Sequence, residues 1–245
     1  MKLGVMQPYF LPYIGYWQLI HAVDVFILAD DVQYIKKGWI NRNRFLQQGG
    51  GWHYVILPLQ KYSMHELIKN IKLHSSINLY ALLLHGLEQY RFKKRAPYFA
   101  ETVEFLKDIL AEIHTRDLAI INAILINKIC QYLDINTPIL ISSDCHFDLP
   151  NLQEMNDRPI RIAGHLQATE FINPINGAHL YNRDKFVANT IQLSFLQSHD
   201  IHYEQGVKFE PLLSIVDVLM FNGQQGTKAL LNEYTIIKPS LLNRS

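Results

Sequence analysis

The chain has 245 residues, 49% of them hydrophobic and 18% charged, with 23 basic against 22 acidic side chains and a net charge of +1. That length suits one large domain or two small ones, and that composition excludes a disordered chain. A balanced charge supplies no long-range field for a polyphosphate backbone, so nucleic acid is not expected as a partner.

Two cysteines, Cys130 and Cys145, cannot build a disulfide framework, and no CxxC or His/Cys ligand spacing accompanies them. A cytoplasmic protein without a metal site is expected. No apolar run approaches the roughly 18 residues of a membrane span, and the first residues lack the charged and apolar regions of a signal peptide, so no membrane partner is expected either.

In chain order, "MKLGVM" (1–6) reads as a strand, and Pro12 can open a helix that carries Ile14, Trp17, Ile20 and Val23 at helical spacing. "DVFILA" (24–29) has no polar alternation, as expected of a strand buried on both faces, and the three pieces make a βαβ unit. "RFLQQGGGWHYVILPL" (44–59) reads as a hairpin turning at Gly49-Gly50-Gly51. Residues 77–134 form three amphipathic helices broken at Pro97 and near Thr115, the first closed by the basic run "RFKKR" (91–95). Strands at "PILIS", "TEFI" and "IQLSFL" then alternate with helices over 156–167 and 178–188. "SIVDVLMFNG" is a final helix, with Ser214 and Asp217 as a capping box and Asn222-Gly223 as a left-handed stop.

The fold class is therefore α/β. A Rossmann-like N-terminal βαβ unit with a hairpin (1–75), a central three-helix block (76–135) and a mixed α/β C-terminal part (136–245) share one domain.

Tyr13-Ile14-Gly15-Tyr16 resembles the His-Ile-Gly-His signature of adenylate-handling enzymes, with tyrosine at both histidine positions. In those enzymes imidazolium donors and a helix N-terminus meet charge developing on a phosphoryl group. A tyrosine hydroxyl, with a pKa near ~10, is neutral at pH 7 and cannot supply that cation. No lysine-rich second signature follows. The likeness points either to a shared Rossmann-like ancestry or to two core aromatics with their hydroxyls at the edge.

The densest polar stretch, "ADDVQYIKKGWINRNRF" (29–45), begins where the second strand should end. Parallel strands present their C-terminal ends on one edge, which places Gln7, Pro8 and Tyr9 beside Asp30 and Asp31. Neighbouring strand residues face opposite ways, so only one aspartate need face a ligand. Trp39, Asn41, Arg42, Asn43 and Arg44 add an aromatic platform, amides and guanidinium forks suited to a sugar with a phosphate or carboxylate. The alternative is an ordinary strand with Arg42 and Arg44 solvated and Trp39 buried. "DCHFD" (144–148) and "HDIH" (199–202) contain metal-ligand residue types, but sequence places no third or fourth ligand, and both read as surface loops.

"QPYFLPYIGYWQLI", "AVDVFILADDVQYIKKGWINRNRF", "PYF" at 97–99, "ATEFINPINGAHLY" and "FEPLLSIVDVLMFN" resemble, in order, the blocks of the WbqC-like protein family. The resemblance implies a bacterial enzyme encoded among genes for lipopolysaccharide O-antigen and other surface glycans. Carried over residue by residue, it implies catalytic roles for Asp31, Asp30 and Tyr16. Substrate binding would fall to Gln7, Lys36, Trp39, Asn41, Arg42 and Asn43, joined by Tyr9 from its place at the strand end. Ala163-Gly164 stands where many members carry Cys-Lys, which argues against a cysteine nucleophile there. His21, His53 and His165 match no block.

Three functions compete at this point. The first is an acyl or aminoacyl transferase acting on a nucleotide-activated aminosugar, with an aspartate as base and Arg42 and Asn43 as oxyanion donors. The second is a nucleotidyl transferase using the Tyr13–Tyr16 turn, and the third a non-catalytic module that binds a sugar nucleotide or assembles partners. All take a small-molecule nucleotide sugar as partner. Cofactor, metal requirement and a homo-oligomeric state stay open.

Overall fold

Two apolar runs near the N-terminus form adjacent parallel strands, β1 (Lys2–Met6) and β2 (Val25–Leu28), paired from Leu3 with Val25 to Met6 with Leu28. The computed structural model describes residues 1–91, 96–149 and 154–239. Residues 92–95 of the basic run, expected to close a helix, lie outside them.

Three later strands extend the same sheet in parallel: β5 (Ile139–Ile141) beside β2, β6 (Glu170–Pro174) beside β1, and β7 (Gln192–Ser198) beside β6. β8 (Tyr234–Ile237) closes the far edge antiparallel to β7, giving the order β5-β2-β1-β6-β7-β8. This mostly parallel sheet with helices on both faces is an α/β fold of Rossmann-like type. The chain adds strands to one side of β1, then crosses back and adds them to the other. The order therefore reverses between β1 and β6, and in open α/β sheets ligands bind beyond the strands' C-terminal ends at such a point.

Strand alternation divides the core. Phe26, Leu28, Ile172 and Leu196 join one apolar cluster with α1 (Ile14–Ala22), α4 (Leu118–Tyr132) and α7 (Ile215–Leu230). Leu3, Val5, Ile27, Phe171 and Leu193 face the other way, onto Ile162 and Ala163 of α5 (Asp157–Leu166) and Phe186 of α6 (Arg183–Ala188). Every residue of α1 from Ile14 to Ile20 is buried, because the helix lies between the sheet and α7 rather than on the surface. Its one buried amide, Gln18, donates to the carbonyls of Leu230 and Glu233 and so satisfies groups at the end of α7.

The hairpin forms as the glycines require. β3 (Arg42–Leu46) and β4 (Trp52–Ile56) pair antiparallel around a turn in which Gln47 and Gly51 are hydrogen-bonded. Gly50 and Gly51 both have positive φ. The helical block consists of α2 (Leu79–Leu87), α3 (Phe99–Ala111) and α4.

Four local expectations need correction. Helix α1 starts at Ile14, not Pro12, because the Pro12 carbonyl turns aside to accept from Trp17 Nε1 and from the N–H of Ile215. The helix expected over 178–188 is two pieces, a 3-10 segment Ile175–Leu180 and α6, divided where the Asn182 side chain caps Asp184. Asn222-Gly223 does not stop the last helix. Gly223, at φ 62°, kinks it where the Tyr98 ring packs so close that a Cβ would meet Cε1 at 2.6 Å, and α7 continues to Leu230. Ser214 caps Val216, but Asp217 does not complete a capping box: the Ser214 N–H donates to the Arg44 carbonyl, and the Asp217 carboxyl turns inward.

Candidate functional site

The loop from Gln7 to Tyr13 leaves β1 at the reversal point and is held from three sides. Asn43 donates to the carbonyls of Phe10 and Leu11, Asn122 on α4 donates to Pro8 and Ile40, and Ser214 donates to Leu11. Asn43 and Asn41 are both buried. Asn41 accepts from Tyr34 and donates to the Leu57 carbonyl. These two amides, expected in the ligand site, hold backbone.

Tyr16 is 1% exposed, and its hydroxyl donates to the Gln7 carbonyl at 2.9 Å. Burial first, then the neighbouring Tyr9, holds that phenol far above the usual tyrosine range, so it stays neutral. Tyr13 folds back over the first turn of α1: a Cβ on Gly15 would meet Tyr13 Cε2 at 2.5 Å. A phenol ring thus stands where the adenylate signature would present a histidine to an anion, and α1 has no side-chain cap.

The adjacent aspartates, just past the end of β2, part company. Asp30 is 2% exposed, and its carboxylate accepts from the N–H and hydroxyl of Ser143, at 3.0 and 2.6 Å. It ties the end of β2 to the 3-10 turn after β5 (Ser142–Asp144). Asp31 instead meets Arg158 Nη1 at 2.7 Å, with side chains 20% and 18% exposed. Arg158 stands in the first turn of α5 and lies 3.4 Å from the Ser142 hydroxyl. Burial, then Asp144, Asp30 and Asp31, raises the Cys145 thiol and keeps it protonated, so it makes a poor nucleophile.

Around the reversal point, the Gln7 amide and Tyr9 hydroxyl are half-buried and have no hydrogen-bond partner among the described residues. Tyr181, which follows the 3-10 segment after β6, has its phenol pushed up to about 12 by burial first and then by the neighbouring Tyr9. Asn173 closes the end of β6, with its oxygen over Gly177 and its amide on Met6 Sδ. The C-terminal edge of β2, β1 and β6 thus carries the Asp31–Arg158 ion pair, the Gln7 amide and the neighbouring phenols of Tyr9 and Tyr181.

The remaining candidates lie on the hairpin and the segment before it. Arg42 donates to the carbonyls of Lys37 and Gly38 and lies 4.1 Å over the Tyr54 ring. Trp39 is 36% exposed, and Lys36 is exposed without an ion pair among the described residues. The Phe10 N–H donates to the Trp39 carbonyl, which ties this surface to the loop after β1. Among the described residues no group of three His, Cys, Asp or Glu side chains is placed to hold a metal ion.

The family model of the WbqC-like protein family matches residues 7–229. The chain belongs to the WbqC-like family. The chain is also similar to uncharacterized protein Rv1507c of Mycobacterium tuberculosis, 29% identical over 224 residues that cover 90% of this chain and 93% of that protein. No solved structure matches. No helix among the described residues is long and apolar enough to cross a membrane.

Sequence reasoning missed Arg158 and Tyr181. The signal for Arg158 was present. A helix over 156–167 following a parallel strand must begin at the sheet's C-terminal edge, so "NDRP" at its start belongs beside Asp31.

Proposed function

We propose that this WbqC-like chain is a transferase of surface-glycan synthesis that binds a nucleotide-activated aminosugar at the β1/β6 crevice and transfers an acyl or aminoacyl group to its amine. The observation that supports this reading best is the part-exposed Asp31–Arg158 pair on the same sheet edge as Gln7, whose amide has no hydrogen-bond partner among the described residues. A guanidinium at a strand-end crevice suits a diphosphate, and its departure to that anion frees a carboxylate beside the bound sugar. Asp31 then takes the proton from the sugar ammonium, the amine attacks the acyl carbonyl, and the carbon–nitrogen bond forms as the bond to the donor's leaving group breaks. Gln7 and Tyr9 offer an amide and a hydroxyl to the sugar or the developing oxyanion. Nucleotidyl transfer draws no comparable support, since neutral Tyr13 and Tyr16 stand in place of both imidazoles.

The test is a calorimetric and mass-spectrometric screen of UDP- and dTDP-linked aminosugars against the purified protein, with Asp31→Asn beside the wild type. Asp31→Asn should retain sugar-nucleotide binding and lose acylated product. Full turnover by this variant removes Asp31 from the chemistry, and binding of no sugar nucleotide removes the substrate class.

A further inference from the structure

The outer face of the β3–β4 hairpin is built differently from the crevice. Alternation puts Asn43, Phe45, His53 and Val55 inward and Arg42, Arg44, Trp52, Tyr54 and Ile56 outward, with Trp39 alongside. Arg42 lies over Tyr54 at 4.1 Å, and Arg44 lies 5.4 Å from the Trp39 ring and 5.3 Å from the Trp52 ring. Rings beneath a guanidinium fix its plane; backbone carbonyls take Nε and Nη2 of Arg42 and Nη2 of Arg44, which leaves Nη1 of each arginine without a partner among the described residues.

Among the described residues these cations have no counter-ions. From Val32 to His65 the sequence holds Lys36, Lys37, Arg42, Arg44 and Lys61 and not a single Asp or Glu. Among the described residues neither arginine makes an ion pair; their protein partners are the carbonyls of Lys37, Gly38 and Leu212. Arg44 Nε is buried with no hydrogen-bond partner among the described residues. Trp39 and Trp52 remain 36% and 38% exposed beside them, and Leu212 57%.

We propose that this face binds an acidic saccharide, the carboxylate or phosphate of the sugar on the Arg42 and Arg44 edges and the sugar ring against the indoles. Charge complementarity supplies the anion, because a row of unpaired guanidiniums attracts an oxyanion and repels a cation. The exposed aromatics supply the rest, since an inorganic anion has no apolar surface to cover them. Ring geometry favours a saccharide over single-stranded nucleic acid. Trp39 and Trp52 stand at 51° and 67° to Tyr54, a faceted surface that meets ring C–H groups rather than a flat slot for stacked bases. This site is distinct from the β1/β6 crevice and stands without the reading given for it.

The test titrates tetragalacturonate, neutral maltotetraose and a hexauridylate into the full chain at low salt. Tetragalacturonate should bind at least about tenfold tighter than either, weaken as salt is added, and lose about tenfold in the Arg42→Lys/Arg44→Lys double variant. Because Arg44 also holds Leu212, Trp52→Leu is the second variant. Trp52 is 38% exposed and packs on the Tyr54 ring and the Arg44 guanidinium, so Trp52→Leu should lower affinity while the protein still unfolds cooperatively. Arg158→Lys should bind tetragalacturonate as the wild type does, which separates this site from the crevice. Equal affinity for maltotetraose, tighter binding of hexauridylate, or unchanged binding in both hairpin variants overturns the proposal.

Discussion

Asp31 and Asp217 are both carboxylates held by side chains, and they answer to opposite physics. Asp31 is part-exposed, sits at the ends of parallel strands and is matched by a full positive charge on Arg158. Asp217 is 0% exposed in the first turn of α7 and faces only neutral donors, the Tyr203 hydroxyl at 2.6 Å and the Gln205 amide at 2.7 Å. Burial raises the Asp217 carboxyl to about 6, against the pull of hydrogen bonds from Tyr203, Tyr90 and Gln205. Gln205 also binds both the carbonyl and the N–H of Glu210, so the Asp217 contacts organise the segment between β7 and α7. A part-exposed carboxylate paired with a cation at a strand end is available for chemistry, whereas one sealed among neutral donors holds the fold.

The largest effect that tests this contrast is the loss of the buried group. Asp217→Ala leaves the Tyr203 hydroxyl and one N–H of the Gln205 amide without an acceptor, and should cost about 3 kcal/mol in urea unfolding. The folded variant should still bind sugar nucleotide as the wild type does. A loss of binding with stability intact would join the two regions and break the comparison.

The same carboxyl gives a pH signature. Its folded pKa lies above the unfolded value near ~3.9, so its contribution is fully present below about pH 4 and is lost as pH rises through about 6. Relative to Asp217→Asn, which cannot titrate there, the wild type should lose about 2 kcal/mol of stability between pH 4 and pH 7. Paired denaturation curves across that range check it. A constant difference would mean that Asp217 is not buried as an acid.

A smaller effect is expected at the start of α1. Gly15→Ala drives a methyl into the Tyr13 ring and should destabilise by about 1 kcal/mol, with most of the loss recovered in Gly15→Ala combined with Tyr13→Ala. Purely additive losses would mean that Tyr13 does not lie across that turn.

Much of this architecture was legible in the residues. The uninterrupted "VFIL", the triple glycine and the alternation after residue 136 gave the βαβ unit, the hairpin and the later strands, because each depends on local periodicity or turn chemistry. The helix end at Gly223 was misjudged, because a glycine with positive φ stops a helix or kinks it according to what packs there, and Tyr98 is 125 residues away in sequence. At the candidate site, Gln7, Tyr9 and Asp31 were visible as strand ends. The commitment of Asn41, Asn43 and Asp30 to Tyr34, Phe10 and Ser143 was not, since amides and carboxylates look alike in sequence whether they meet backbone or ligand. Arg158 was hidden for a similar reason. Its partner lies 127 residues earlier, and only the sheet order brings the two together.

The central claim is that the ligand crevice lies at the ends of β2, β1 and β6 and that Arg158 receives the anion. Calorimetric titration of UDP- or dTDP-linked aminosugars into wild type, Arg158→Lys and Arg42→Lys tests it most directly. The account predicts that Arg158→Lys weakens binding by about tenfold, because lysine keeps the charge and loses the fork, while Arg42→Lys binds as the wild type does. Unchanged affinity in Arg158→Lys together with a loss in Arg42→Lys would contradict it and move the sugar nucleotide to the hairpin.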